Sequence, residues 1–369
     1  MLGTDLGGTA VDDVEGSAGI EGDDCSLQMK QPVIVFRAEG GITGGLGHVR
    51  RSMTLARELE KQGAKTYFIV NQGGSASGFL CRHGFEPIEV GEADDRYLGE
   101  TLKHVDRWRA RGVIIDSYKI RDLSCIQRSA AFTAVIDDLA DRLLPVDMII
   151  NGSVNASELP YQVSPGTRLL LGANYILLRE EFSGEVHHRI SERVGRVMIT
   201  VGGTDSEALT AKLVTWSRNA LPTVSLDVVI GPFFNEDAER DIKRLAQDDP
   251  MVIPHVDPPN IRELMLKCDM AITGGGQTTY ELAATGTPAV SIRLADNQSG
   301  NLQGLSAKGV LEWAGDMHDG DLEGRVIRVL RNLAEHADKR AKMSQAGRAL
   351  VDGKGAARVA QAVLEACPV

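Results

Sequence analysis

The chain has 369 residues, 43% hydrophobic and 25% charged, with a formal net charge of −11. That length fits two domains of an ordinary soluble protein, and 40 glycines point to many tight strand-to-helix turns. Seven acids (Asp5, Asp12, Asp13, Glu15, Glu21, Asp23, Asp24) against Lys30 give residues 1–30 a charge of −6, so −5 falls on the other 339 residues, and no excess of base is left for a nucleic-acid face.

Residues 1–30 have few large apolar side chains and no hydrophobic period, which predicts a disordered acidic tail. From residue 32 short β-rich runs alternate with amphipathic helical stretches: "VIVF", "TYFIV", "VIID", "AVIDD" and "DMIIN", then "RVMITV", "SLDVVI", "MAIT" and "AVSIRL". Continuous apolar strands separated by helices define an α/β fold with parallel sheets covered on both faces. A polar break after residue 182 divides the rhythm. The boundaries expected are a Rossmann-like N-terminal domain over 31–183, a linker over 184–195 and a second Rossmann-like domain over 196–369 that includes a long helical ending. That ending, from Ala337, is long enough to pack across both halves.

The turn "GGITGGLGHVRR", residues 40–51, stands between the first strand and a helix carrying Val49, Met53, Ala56 and Leu59 at helical spacing. In an open parallel sheet such a turn lies on the ligand side. Glycines admit a ligand close to the backbone, and the first free N–H groups of the helix face anything anionic. His48 falls at the helix's amino end, where the dipole disfavours an imidazolium and leaves a nitrogen able to accept a proton. A plain glycine loop with an incidental histidine reads equally well from these residues alone. The turn lacks the G-x-G-x-x-G spacing of dinucleotide sites, and Asn71 stands where a ribose-binding acid would end "TYFIV", which disfavours a nicotinamide enzyme.

The second half repeats the device in "CDMAITGGGQTTYELAATGTPAVSIRLADNQ", residues 268–298. Gly274, Gly275 and Gly276 with Gln277 and Thr278 form a phosphate-sized cradle at a helix start. Glu281 follows about one turn inside, placed either to accept from a ribose diol or as solvated surface. Two cradles, one per half, fit a ligand with phosphates on one side and a reacting carbon on the other.

Five scattered cysteines without a C-x-x-C pair read as reduced thiols of a cytoplasmic protein. No apolar run approaches the roughly 18 residues of a membrane helix. His83, His104, His187, His188 and His255 lack metal-ligand spacing, and Asp137 and Asp138 read as strand-end caps or partners of Arg142, so neither metal nor cofactor is expected. The oligomeric state is left open.

Taken in order, "RAEGGITGGLGHVRRSMTLA", "VIIDSY", "VIDDLADR", "DMIIN", "LLLGANYILLREEF", "VMITVGGTD", "AITGGGQTTYELAATGTPAVSI", "ADNQ" and "VDGKGAARV" resemble the UDP-sugar hydrolases of the pseudaminic acid pathway and the related spore-coat polysaccharide proteins, a PseG/SpsG-like family, from about Val33 to Val359. The resemblance implies a GT-B fold, two Rossmann-like domains facing a cleft. It also implies metal-free hydrolysis of a UDP-linked 2,4-diacetamido-2,4,6-trideoxy sugar, with inversion. On the matching positions it implies His48 as base, with Tyr118 and Asn297 beside it. Arg37, Gly45, Gly47, Asp116 and Gln298 fall around the substrate, Gly275, Gly276, Gln277 and Thr278 near the diphosphate, and Glu281 at the ribose.

Three positions depart from the family's usual pattern: Glu39 replaces an aspartate, Gln277 a serine and Leu46 a threonine. The alternatives kept beside hydrolysis are a glycosyltransferase using a hydroxyl acceptor and a non-catalytic nucleotide-sugar binding module. A base among the cleft residues argues against the last.

Overall fold

The computed structural model describes residues 31–40, 46–73, 75–91, 95–125, 131–186, 188–205 and 207–367. The tail expected over 1–30 and Gly45 lie outside them. One sheet comprises β1 (Val33–Ala38), β2 (Lys65–Asn71), β3 (Ile88–Val90), β4 (Gly112–Asp116), β5 (Phe132–Ile136), β7 (Met148–Asn151) and β9 (Arg168–Leu171), in the order β3-β2-β1-β4-β5-β7-β9. Two-residue strands β6 (Leu143–Leu144) and β8 (Gln162–Val163) pair separately. The second sheet comprises β10 (Arg196–Thr200), β11 (Ser225–Ile230), β12 (Val252–Val256), β13 (Met270–Gly274), β14 (Ala289–Arg293) and β15 (Leu311–Asp316), in the order β12-β11-β10-β13-β14-β15. Helices α1 (Gly47–Lys61), α2 (Ser75–Arg82) and α3 (Asp95–Arg107) follow strands of the first sheet. Helices α4 (Leu209–Ala220), α5 (Glu236–Asp248), α6 (Ile261–Lys267), α7 (Thr278–Thr285), α8 (Ser299–Ala307), α9 (Leu322–Glu335) and α10 (Ala337–Leu350) accompany the second, and α11 (Gly355–Ala366) returns to the first.

Pairing is parallel throughout both sheets, and the strands are apolar on both faces for the reason the sequence gives. In β1, Ile34, Phe36 and Ala38 face a core shared with α1, whereas Val35 faces the opposite core with Leu98 and Val105 of α3. The strands absent from the sequence reading include β3, β9, β12 and β15, which are the four sheet edges. Edge strands need no continuous apolar run, and these carry Glu89, Arg168, Pro254 and Glu312 within them.

In each sheet the order reverses at one place, between β1 and β4 and between β10 and β13. The crevice outside the carboxyl ends at such a reversal is where open α/β sheets bind ligands. Both glycine turns open there. Gly40 fits its turn because a Cβ would stand 2.6 Å from Ala76 Cβ and 2.7 Å from Val49 Cγ2. Its N–H donates to Asn71 Oδ1 at 2.9 Å, so Asn71 anchors the start of the loop.

Both sheets belong to one compact unit, Pro32–Val369. The last helix breaks the contiguous boundary expected at 196–369: Ala356, Val359, Ala360 and Val363 of α11 are buried in the first core with Leu55 and Leu59 of α1. The chain returns along the segment by which it left. Gly353 takes a positive φ of 72° beside Phe182, and Gly355 packs on the backbone of Ile176. Arg340 of α10, fully buried, donates to the carbonyls of Ser191 at 2.6 Å and Glu192 at 3.1 Å, which fastens the connecting segment to the second half.

Gly355→Ala separates local from tertiary control. Helix propensity alone favours alanine, by less than the ~1 kcal/mol of a helix interior because Gly355 is the first residue of α11, but a Cβ at 355 would meet Ile176 O at 2.2 Å. A net loss of about 1 to 3 kcal/mol in urea unfolding is expected; a gain would show that this return contact carries no constraint.

Candidate active site

Asp116 ends β4 and is 0% exposed. Beside it in the sheet is β1, whose turn delivers α1, and α1 brings three side chains to this one carboxylate. His48 Nδ1 lies 2.5 Å from Oδ1, Arg51 donates through Nη2 to Oδ1 at 2.5 Å and through Nε to Oδ2 at 2.7 Å, and Ser52 Oγ donates to Oδ2 at 3.1 Å. His48 and Arg51 are three apart and therefore neighbours on one helix face. With Nδ1 against Asp116, Nε2 is the nitrogen left for chemistry. Burial would by itself push the Asp116 carboxyl up, but the Arg51 guanidinium and His48 outweigh it and hold the carboxyl at about 2.

Arg51 also donates to Asp138 Oδ2 at 3.2 Å, and Tyr118 Oη donates to the same oxygen at 2.9 Å. Burial, followed by the charge of Asp138, pushes the Tyr118 phenol well above its ordinary range, so it stays protonated. Its ring meets His48 edge to face, centroids 4.5 Å apart at 82°. From the second half, Asn297 Nδ2 reaches Tyr118 Oη at 3.4 Å. His48, Tyr118 and Asn297 are thus assembled from β1, β4 and β14 turns of two different halves.

They border a cavity of about 510 Å³ whose wall also holds Gly47, Asp138 and Gly275. A second lobe of about 520 Å³ is bordered by Arg50, Gly202, Phe233, Thr278 and Glu281. Gly47, Gly276, Gln277 and Gln298 border both, which makes one continuous cleft. Gly275 packs closely, since a Cβ there would stand 2.8 Å from Gln298 Oε1 and from Leu302 Cδ1 and would move those side chains. Gln298 Oε1 accepts from Leu294 N at 2.9 Å, and Gln277 Nε2 donates to Leu177 O at 2.8 Å, so both side chains shape the turn as well as facing the cleft. Glu281 is not solvated surface. It is largely buried, 3.5 Å from Arg179, and burial raises its pKa despite Arg179 and Arg50.

The halves are also joined behind the cradle. Tyr280 Oη accepts from Val154 N at 2.8 Å and donates to Asn301, whose Nδ2 donates to Gly275 O at 3.1 Å.

Two residues expected around the substrate do not border the cleft. Arg37 is 0% exposed on the Val35 face of β1, with Nη1 on Ile69 O and Nη2 on Gly91 O, and thus ties β2 and β3 to β1. Asp116 turns to His48, Arg51 and Ser52. Glu39 likewise sits behind the cleft, accepting from Ser117 Oγ at 3.0 Å and Tyr118 N at 3.2 Å, so the residue that departs from the family pattern there supports the Tyr118 turn. Asp137 is the cap and Arg142 partner that the sequence suggests, accepting from Ala140 N at 2.8 Å and pairing with Arg142 at 3.0 Å; Asp138 is not. Arg51, Asp138 and Arg50 were missed, although the i, i+3 spacing from His48 was the signal for Arg51.

Among the described residues no three His, Cys, Asp or Glu gather as metal ligands, and no helix is long and apolar enough to cross a membrane.

The two facing parallel sheets with a switch-point cleft define a GT-B protein. Acinetobacter baumannii MurG superposes with a TM-score of 0.62 at 14% identity, over 91% of this chain and 99% of that one. No protein-family model matches the chain. In sequence it is PseG/SpsG-like. It is 22% identical to the spore coat polysaccharide biosynthesis protein SpsG of Bacillus subtilis over 87% of this chain and 95% of that protein. It is 26% identical to the pseudaminic acid cytidylyltransferase and UDP-2,4-diacetamido-2,4,6-trideoxy-beta-L-altropyranose hydrolase of Helicobacter pylori, over 70% of this chain and 43% of that protein. An uncharacterized protein of Methanocaldococcus jannaschii is also 26% identical, over 70% of this chain and 54% of its own length. The chain therefore spans about half the length of two of these three relatives.

Asp116 links the site to acid stability. Its carboxyl sits below the unfolded value near 3.9, so its contribution, roughly 2 to 3 kcal/mol, is present above that value and is lost as pH falls toward about 2. Asp116→Asn is expected to remove this acid limb from unfolding measured across about pH 2 to 6, and to lower turnover on the order of 10²-fold or more by freeing His48. An unchanged limb would mean the carboxyl is not held ionised.

Proposed function

We propose that this protein uses water to cleave a nucleotide-activated amino sugar, a UDP-linked diacetamido-trideoxy sugar or a close relative, releasing UDP and the free sugar. The observation that carries this reading is the His48–Asp116 pair, 2.5 Å apart, at one lobe of a cleft whose other lobe opens on the α7 glycine turn. Support comes from the H. pylori relative, named for hydrolysis of such a sugar, and from SpsG, named for polysaccharide biosynthesis.

In this reading the diphosphate lies against Gly275, Gly276, Gln277 and Thr278, where free N–H groups begin α7. The sugar lies in the lobe of His48, Tyr118 and Asn297, and Glu281 accepts from the ribose. His48 Nε2 takes the proton of a water attacking the anomeric carbon, and ionised Asp116 stabilises the imidazolium formed. Glycosidases of ordinary sugars need a second group to protonate a poor leaving oxygen. A diphosphate held by N–H donors leaves without one. The steps call on no divalent cation.

The second reading is transfer to a hydroxyl acceptor in the same cleft, favoured only by the GT-B fold shared with MurG. Incubation with UDP-linked acetamido sugars alone separates the two: UDP release without acceptor supports hydrolysis, and release only on adding an acceptor supports transfer.

His48→Ala is expected to lose turnover by a factor on the order of 10² or more while keeping UDP affinity, because a base is removed and the nucleotide lobe is untouched. Glu281→Ala is expected to weaken UDP binding by about 1.5 to 3 kcal/mol, ten- to over a hundredfold. Calorimetric titration of UDP into both variants, with matched melting curves, reads the contrast; a larger loss in His48→Ala would put the nucleotide in the other lobe.

A further inference from the structure

Arg50 follows His48 by two positions on α1, about 200° around the helix, so the two side chains serve different lobes of the cleft. The Arg50 guanidinium stands over the Phe79 ring at 5.3 Å from its centroid and borders the lobe of Thr278 and Glu281. Among the described residues no carboxylate, carbonyl or hydroxyl accepts a hydrogen bond from it, in contrast to Arg51 beside it, whose donors are shared between Asp116 and Asp138. Partial burial disfavours its charge, Asp257 and Glu281 favour it from a distance, and Arg179 opposes it. A guanidinium with five donors, partly withdrawn from water and bordering a cavity whose carboxylates, Asp257 and Glu281, do not hydrogen-bond it, is a site prepared for an anion.

We propose that Arg50 grips the diphosphate of the nucleotide from across the cleft and neutralises the charge that the departing oxygen gains. The inference rests on the reading that a nucleoside diphosphate occupies this lobe. Water adds to the anomeric carbon and its proton passes to His48. The bond from that carbon to the β-phosphate oxygen breaks, and its electron pair stays on the oxygen, so UDP leaves with one more negative charge than it had as an ester. Donors fixed near that oxygen bind it more tightly as the charge grows, which favours the transition state over the ground state. The glycine cradle belongs to the second half and Arg50 to the first. The nucleotide thereby draws together the half that holds it and the helix that carries the base.

The test compares wild type, Arg50→Gln and Arg50→Lys, first matched by melting curves, for affinity to UDP by calorimetry and to uridine by competition against UDP, and for turnover of a UDP-linked acetamido sugar. Arg50→Gln is expected to weaken UDP about tenfold or more, to leave uridine within about twofold, and to lower kcat as well. Arg50→Lys, which keeps the charge but not the fork, is expected to fall between. Unchanged UDP affinity in Arg50→Gln, or an equal loss for uridine and UDP, overturns the proposal and leaves the proposed function standing. A wild-type protein that does not bind UDP overturns the nucleotide reading and this one with it.

Discussion

The site depends on one buried charge. Asp116 has no exposure, and it remains ionised only because α1 brings the Arg51 guanidinium and His48 to it. A buried carboxylate without such partners would neutralise itself. Two structural requirements follow. The chain leaving β1 must pass close to α1 and α2, which Gly40 permits by its approach to Val49 and Ala76. And α1 must be held from behind, which α11 does by packing Val359 and Val363 into the same core as Leu55 and Leu59.

From that fixed point polar contacts run across the cleft. Arg51 reaches Asp138, Asp138 holds Tyr118, and Tyr118 meets Asn297 of the other half. A second tie runs behind the cradle, from Val154 through Tyr280 and Asn301 to Gly275. The two halves are thus connected on both sides of the glycine turn, so the distance from His48 to that turn, the proposed base and the proposed diphosphate site, is set by hydrogen bonds and not by the connecting segment alone. That is the preorganisation a single-base displacement needs, because the attacking water and the leaving group must lie on opposite sides of one carbon.

Much of this was legible in the sequence, and the failures have physical causes. Central strands announce themselves because both faces are buried, while the four edges carry polar residues or proline and do not. His48 and the two glycine turns were legible because runs of glycine between an apolar strand and a helix stand out in the sequence. Charged residues were read less well, since a strand end offers a side chain two faces. Arg37 took the face with Val35 and binds backbone carbonyls of the sheet, and Asp116 turned inward to orient His48. Of the adjacent pair Asp137 and Asp138, both at the cleft wall, one caps a turn and pairs with Arg142 while the other accepts from Arg51 and Tyr118. Arg50, Arg51 and Glu281 look like solvated helix surface in the sequence; only the folded chain sets Arg51 against Asp116 and Asp138, and Arg50 and Glu281 at one lobe of the cleft. The packing of α11 on α1 joins segments about 300 residues apart, and nothing in its local pattern selects the partner.

The central claim is that water held by His48 attacks the anomeric carbon of a nucleotide sugar. Hydrolysis of a UDP-linked acetamido sugar in ¹⁸O-enriched water, followed by mass spectrometry of both products, tests it most directly. The account predicts one heavy oxygen in the anomeric hydroxyl of the released sugar and none in UDP. Heavy oxygen in the β-phosphate of UDP would place the attack on phosphorus and contradict the account.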